Sequence, residues 1–244
     1  MHIEHRKRRV PRRIETDRLV LRCYEPDDAE ALRVICADNR EHLLRWLPWA
    51  EADPQTNEEK LELILSFRSL YDSGANSVMG IFHKDTGELI GGTGLHPCGK
   101  LDQLVTRECG YWIAANHSGH GYVTEAVNAL TVVAFELLRL KTVVIRCEEG
   151  NDRSRAIPER LGYVCEGFMR NVLPRNDEER AGAHRYSMTS TEYEDSESAK
   201  NWRADADSIK ASDVLDRPYD LRAELECSGT PNRRAHGEGA SLKG

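Results

Sequence analysis

The sequence of 244 residues contains no long apolar run. A membrane-spanning helix needs about 20 consecutive apolar residues, so no membrane partner is expected, and no apolar core follows the basic start as a secretory signal would demand. A surplus of positive charge is also missing: 34 Lys and Arg stand against 41 Asp and Glu, a formal net charge of -7. Broad binding to nucleic acid requires a basic surface that neutralises phosphates, so specific DNA binding is not expected. Cysteine pairing is absent as well. Cys23, Cys36, Cys98, Cys109, Cys147, Cys165 and Cys227 are scattered, odd in number and free of any C-x-x-C spacing. That excludes a disulfide framework or a zinc site as the expectation, and suits buried thiols in the reducing cytoplasm. The hydrophobic content of 39% is enough for a packed core but low for a chain folded throughout, which favours one compact domain with polar ends.

Three regions follow from the composition. Residues 1–13 form a basic leader in which Arg6, Lys7, Arg8, Arg9, Arg12 and Arg13 cluster; it is read either as a solvated leader or as a strip that contacts an acidic surface such as ribosomal RNA. Residues 14–194 carry the folding signals. They open on a strand through Leu19, Leu21 and Cys23, a helix over DDAEALRVICADN capped by Asp27 or Asp28, and a second amphipathic helix over NEEKLELILSFRSLYDSG. VMGIFHK and LIGGTGLHP then make a hairpin about DTGE, with TRECGYWIA as the next strand. A glycine loop, a helix from about Tyr122 to Arg139, a strand TVVIRC, a short helix over RSRAIPERLG and strand-like YVCEGFMRNV and AHRYSMTSTEY complete the order. This describes an α/β fold, a mixed sheet with helices on both faces. Residues 195–244 are rich in Ser, Asp, Glu, Arg and Gly and are expected to be a disordered tail, with Leu215, Tyr219, Leu221 and Leu225 as a weak helix or docking segment.

The most informative stretch is ANHSGHGYVTEAVNALTVVAFELLRL. Gly119 and Gly121 stand directly before a helix with an apolar face of Val123, Ala126, Val127, Leu130, Val133, Ala134 and Leu137. Glycines let the main chain bend without a Cβ in the way, so the N–H groups of residues 117–122, including that of Tyr122, can converge at the positive end of the helix. A pyrophosphate suits that arrangement, although a plain strand-to-helix turn would share the pattern. A dinucleotide fold would want a third glycine where Thr124 stands, and a Walker loop would want G-K-[ST]. Neither is present.

GYWIAANHSGHGYVTEAVNAL, followed by CEEGNDRSRAIPERLGYVCEG, resembles the acetyl-CoA site of the GNAT superfamily of N-acetyltransferases, and within it the ribosomal-protein alanine and serine N-acetyltransferases. The likeness runs over roughly residues 15 to 193 and includes TDRLVLR, NREHLLRWLPWA and GELIGGTGLH. It implies a mostly antiparallel sheet that splays at the coenzyme site. The superfamily's pyrophosphate frame Q/R-x-x-G-x-G/A falls on Asn116, His117, Ser118, Gly119, His120 and Gly121, departing at Asn116. Thr124 is then either a further phosphate contact or an ordinary first-turn residue. By the same resemblance the parted strands are GYWIA and TVVIRC, and Ile113 and Ala114 are the expected main-chain partners of the coenzyme, or else ordinary paired strand residues.

The resemblance also implies catalytic roles. N-x-x-S-R is matched by Asn151, Ser154 and Arg155, with Ser154 as proton donor to the departing thiolate, Asn151 on the pantetheine amide and Arg155 beside it; Asn151 or Ser154 would serve equally as a helix N-cap. Glu108 precedes Gly110 by two residues and so shares its strand face. It is the candidate base, its pKa raised by burial near aromatic rings, or else a surface strand carboxylate pairing Arg107 or a neighbour. Trp46 and Trp49 are expected to wall the acceptor cleft or to pack under a loop. His96 and His42 have suitable chemistry but no partner in the sequence. The implied activity is acetyl transfer from acetyl-CoA, without a metal, by a monomer or homodimer in the cytoplasm. The acceptor is a protein N-terminus, such as that of a ribosomal protein, or a small amine; a non-catalytic acyl-CoA-binding module is the alternative of another class.

Overall fold

A computed structural model of the chain describes residues 9–98, 105–176, 178–213 and 217–219. The strands are β1 (Arg13–Glu15), β2 (Leu19–Cys23), β3 (Ser77–His83), β4 (Leu89–Pro97), β5 (Thr106–Ile113), β6 (Thr142–Glu148), β7 (Val164–Pro174), β8 (Arg180–Thr189) and β9 (Lys210–Ser212). The helices are α1 (Ala29–Asp38), α2 (Arg40–Leu44), α3 (Asn57–Asp72), α4 (Tyr122–Val132), α5 (Asp152–Arg160), α6 (Ser190–Asp195) and α7 (Glu197–Ala204). Among the described residues nine strands form one sheet in the order β7-β8-β6-β5-β4-β3-β2-β1-β9. Every adjacent pair is antiparallel except β5 and β6, which run parallel.

Two apolar layers cover the sheet. On one face α4 buries Ala126, Val127, Ala129 and Leu130 against Leu21, Met79, Ile81, Leu95, Val143 and Ile145, with Tyr193 of α6 and Trp202 of α7 in the same cluster. On the other face Leu32 and Cys36 of α1 and Ile64 of α3 pack on Val20, Phe82 and Leu89. The faces follow from alternation, because successive residues of a strand point to opposite sides. The Thr56 side chain accepts from Glu59 N–H while Glu59 returns to Thr56 N–H, a reciprocal cap that fixes the start of α3. No described helix is long and apolar enough to cross a membrane.

The elements differ from the expected order in identifiable places. The single first strand is a hairpin, since residues 16–18 turn and β1 pairs with β2, Ile14 opposite Leu21. α2 is an added short helix, and the long helix from Tyr122 ends as a π-turn over Val133–Leu137. The leader enters the core at Val10, which is buried, and Arg12 and Arg13 are spent in ion pairs with Asp72 and Glu15. Arg9 is exposed, while Arg6, Lys7 and Arg8 lie outside the described residues.

The expected disordered tail from residue 195 is corrected by the structure over its first part. Ser196 caps α7 through Ala199 N–H, Ala199 and Trp202 are buried, and β9 extends the sheet by pairing Ala211 with Ile14. A few well-placed apolar residues suffice to dock a polar segment, which overall composition does not register. Tyr219 packs against the same core, whereas Leu215, Leu221 and Leu225 lie outside the described residues. Trp202→Ala is expected to destabilise the protein by about 3–5 kcal/mol in urea unfolding, the cost of truncating a buried aromatic. A loss under about 1 kcal/mol would mean that α7 opens independently of the core.

Candidate active site

The loop between β5 and α4 forms a cradle of main-chain donors. Gly119 and Gly121 both take left-handed backbone angles, φ +86° and +80°, and nothing lies within 4 Å of where a Gly119 Cβ would stand. Glu125 N–H donates to Gly121 O at 3.0 Å, the first bond of the helix, so the amides of Tyr122, Val123 and Thr124 have no intrahelical acceptor. Thr124 sits in that first turn, half-buried. The expected cradle of residues 117–122 is trimmed at its start: His117 N–H and Ser118 N–H are used on Ala114 O and Ala115 O. The donors therefore begin at Gly119.

Side chains brace this loop from outside. Tyr122 is ringed by His120, His117 and His83 at 5.8, 6.4 and 5.8 Å between centroids, with the Arg18 guanidinium 4.7 Å from its ring centre. His117 Nε2 lies 3.1 Å from Glu88. Glu125, in the first turn of α4, accepts from Thr16 Oγ1 at 2.6 Å, Arg18 N–H at 3.0 Å and Arg18 Nε at 2.7 Å. Arg18 also donates to His120 O at 3.1 Å, and Arg153 approaches Ser118 Oγ at 3.5 Å. Sequence reasoning missed Arg18 and Arg153, which bring positive charge to the loop. Only the R of TDRLVLR, quoted for its resemblance, hinted at the first.

Beside the cradle the sheet opens. β5 and β6 pair only through Thr106, Arg107 and Glu108 opposite Thr142, Val143 and Val144, while β5 keeps its ladder with β4 as far as Ile113. Ala114 N–H donates to Ile90 O at 2.9 Å and Ala114 O accepts from His117 N–H at 3.0 Å. Both main-chain groups of Ala114 are thus engaged, contrary to the role expected for it. Alternation then turns the groups of Ile113 and Tyr111 away from β4 and toward the gap. The main-chain groups of Ile113 and Tyr111 thus lie on the unpaired edge of β5.

Ser154 stands at the edge of the same gap. Its hydroxyl is 3.2 Å from Tyr111 OH and 3.4 Å from Cys147 Sγ, and Tyr111 OH donates to Ser154 O at 3.0 Å. Burial raises both the Tyr111 phenol and the Cys147 thiol, so each keeps its proton at neutral pH. Asn151 is the N-cap of α5, its Oδ1 accepting from Ser154 N–H at 3.2 Å; of the two readings left open by its sequence position, the cap is what its oxygen does. Arg155 reaches Asp152 at 3.3 Å, Glu159 at 3.5 Å and Tyr186 OH at 3.4 Å. Its guanidinium is taken up by its own helix and β8 rather than turned to the gap.

On the opposite face lies a cavity of about 520 Å³, whose walls include Trp49, Trp112, Phe67, Lys60, His96 and the β5 stretch from Gly110 to Trp112. Trp49 meets Trp112 edge to face at 5.9 Å, and both line this cavity. Trp46 is not among the lining residues and packs under the Arg45 guanidinium at 5.0 Å; Trp112 supplies the second aromatic wall. Glu108 does not have the apolar setting expected of a free base, because Arg146 Nε and Nη2 clamp both its oxygens at 2.8 and 2.7 Å. The clamp spans positions too far apart in sequence for spacing to suggest it. Glu148, beyond the gap on β6, is likewise paired with Arg175, which also donates to Arg45 O at 2.7 Å and ties the β7–β8 turn to the end of α2. Burial raises the Glu148 carboxyl, and the Arg175 charge opposes that rise.

The acetyltransferase (GNAT) domain family matches residues 18–164. YdaF of Bacillus subtilis (strain 168), a provisionally named ribosomal N-acetyltransferase, is 34% identical over 183 residues, 73% of this chain and 94% of that protein. The ribosomal protein uS5 alanine N-acetyltransferase of Escherichia coli (strain K12) is 28% identical over 173 residues, 67% of this chain and 84% of that protein. A crystal structure described as a probable acetyltransferase superposes with a TM-score of 0.65 at 34% identity, over 72% of this chain and 95% of that one. The left-handed glycine cradle, the parted parallel strands and the matched span agree, and the chain belongs to the GNAT acetyltransferase family.

Proposed function

We propose that the protein transfers the acetyl group of acetyl-CoA to the α-amine of a protein N-terminus, with a ribosomal protein as the acceptor. The observation that carries this reading is the parting of β5 from β6 between the Gly119–Gly121 cradle and the aromatic cavity. The names of the relatives supply the acceptor class. When bound, acetyl-CoA provides an acyl group already activated as a thioester. The amides from Gly119 to Thr124, at the positive end of α4, hold its diphosphate, and Arg18 and Arg153 lie close enough to add charge. Main-chain groups of Ile113 and Tyr111 orient the arm and the carbonyl in the gap.

Ser154 is the proposed acid. Its hydroxyl carries a proton beside the gap and is supported by the phenol of Tyr111, which can follow it as charge moves onto oxygen. The cavity beneath Trp49 and Trp112 receives the acceptor, and its apolar walls exclude water from the amine. Arg175, bridging Arg45 and Glu148, ties the turn after β7 to the end of α2.

Thiol release is the direct assay, run with acetyl-CoA against peptides beginning with Ser, Ala or Thr alongside polyamines and amino sugars. Activity confined to the peptides supports the N-terminal reading, and activity confined to the small amines overturns it. Coenzyme uptake without turnover of any acceptor makes the protein a binding module. Ser154→Ala is expected to lower kcat by about 10²-fold, the usual worth of a positioned proton donor, with acetyl-CoA affinity unchanged in calorimetry. Gly119→Val forces a β-branched residue into the left-handed region at a cost of about 1–2 kcal/mol, and is expected to raise the Kd for acetyl-CoA about tenfold.

A further inference from the structure

The acceptor cavity holds a titratable side chain to which the roles above give no task. His96 lies on β4 with its Cα opposite Glu108, and its ring lines the cavity. The ring lies over glycine. A Cβ on Gly94 would come within 2.9 Å of its Cε1, and one on Gly110 within 3.0 Å of Nε2 and 3.1 Å of Cδ2. Gly94 and Gly110 are partners in the β4–β5 ladder, so the missing side chains of a facing pair make the floor on which the imidazole rests. That posture carries Nε2 from the level of Glu108 toward Gly110, in the direction of the gap.

The tautomer is fixed by Asn76. Its Oδ1 accepts from Ser77 N–H at 2.8 Å, which identifies that atom as the oxygen, and the same oxygen lies 2.8 Å from His96 Nδ1. An acceptor oxygen can only receive a proton there, so Nδ1 is the N–H donor and the neutral ring carries its lone pair on Nε2. The acids of the flanking strands are less available: Glu108 is clamped by Arg146 and Glu148 by Arg175. The charged groups around His96 are Glu108 and Arg107 on β5, Arg146 on β6 behind Glu108, and Lys60 on α3, which is paired with buried Asp53 at 2.8 Å. Burial lowers the imidazole below its ordinary value and Arg107 adds to this, while Glu108 opposes it. His96 is therefore neutral where a peptide α-ammonium, with a pKa of about 7.7–8.0, is still largely charged.

We propose that His96 is the general base of the acetyl transfer, its Nε2 taking a proton from the acceptor ammonium directly or through one water, with Asn76 as its positioning residue. This rests on the proposed acetyl-transfer function. One proton passes from the ammonium to Nε2, and the freed lone pair forms the new C–N bond as the C–S bond breaks. The electron pair of that bond leaves on sulfur, which takes the Ser154 proton; the amine nitrogen sheds a second proton that restores Ser154 through solvent. The products are the acetamide, the thiol and one proton, which leaves Nε2 for solvent.

The test is the pH profile of kcat/KM with a peptide acceptor. A base must be unprotonated, so the wild-type rate should fall on the acid side with an apparent pKa below about 6.5, the ordinary imidazole value. His96→Gln should remove that limb and lower kcat at pH 8 by about 10²-fold without weakening acetyl-CoA binding, and His96→Ala should recover activity when imidazole is added. Asn76→Asp keeps the acceptor for Ser77 N–H but adds a negative charge, and should move the limb to higher pH. An unimpaired His96→Gln, or a limb abolished by Glu108→Gln instead, overturns the proposal while leaving acetyl transfer intact. A His96→Gln protein that no longer binds acetyl-CoA, paired with an Asn76→Asp limb that does not move, overturns it as well, since both results describe a purely structural histidine. A wild type that binds acetyl-CoA but acetylates nothing overturns the functional reading and this proposal together.

Discussion

The structure depends on a sheet that stops pairing in its middle. Main-chain N–H and C=O groups inside a protein are almost always bonded, and β5 and β6 obey that rule from Thr106 to Glu108 before they separate. Beyond Glu108 the groups of Tyr111 and Ile113 on one side of β5 face a gap rather than a neighbour. Such an opening costs free energy unless something with donors and acceptors fills it, at about 1–3 kcal/mol for each group left dry. A long, flexible, amide-bearing coenzyme arm can fill it as another strand would. The parallel pairing matters here, since a parallel neighbour arrives by a crossover. That crossover is α4, and its N-terminus is thereby delivered beside the gap.

Several contacts hold the opening in shape while leaving it open. Arg146 on β6 clamps Glu108 on β5 at the last paired position, a bidentate bond that pins the fork where the strands part. β6 cannot swing back to close the gap because its other edge is fully engaged by β8, from Thr142 opposite Thr189 to Glu148 opposite Ala183. Further along, Tyr111 reaches across to Ser154 and Cys147 by side-chain atoms only. Glu125, tied to Thr16 and Arg18, anchors α4 to the β1–β2 turn. These contacts shape the cradle from within the protein, and a site formed in advance lowers the entropic cost of binding.

How much of this could be read from the sequence depends on how local each interaction is. The glycine cradle, α4, the β3–β4 hairpin and the cap of α5 rest on neighbours within a few residues, and the chain declares them through Gly119, Gly121, the DTGE turn and Asn151. Ser154 was legible for the same reason, as part of a short motif. The fate of Glu108 was not, since its setting is decided by Arg146, on another strand after a helical crossover. Ala114 looked free because spacing cannot say which edge of a strand a carbonyl faces; its bonds to Ile90 and His117 depend on register. The segment after residue 195 was misjudged by composition, because Trp202, Ile209 and Ala211 carry its docking among many polar neighbours.

The same distinction explains why the two candidate bases differ. Both Glu108 oxygens are occupied by the Arg146 guanidinium, in a bidentate bond worth more than a neutral hydrogen bond. The pair sits at the fork from which the gap opens. The half-buried imidazole of His96 is in the opposite position. It is uncharged at rest, so the apolar walls of Tyr24, Phe67 and Trp112 impose no desolvation penalty on it until a proton arrives, and Glu108 across the ladder partly offsets the charge that then forms. The Glu108–Arg146 ion pair thereby bears on both the shape of the gap and the charge of the imidazole across the ladder.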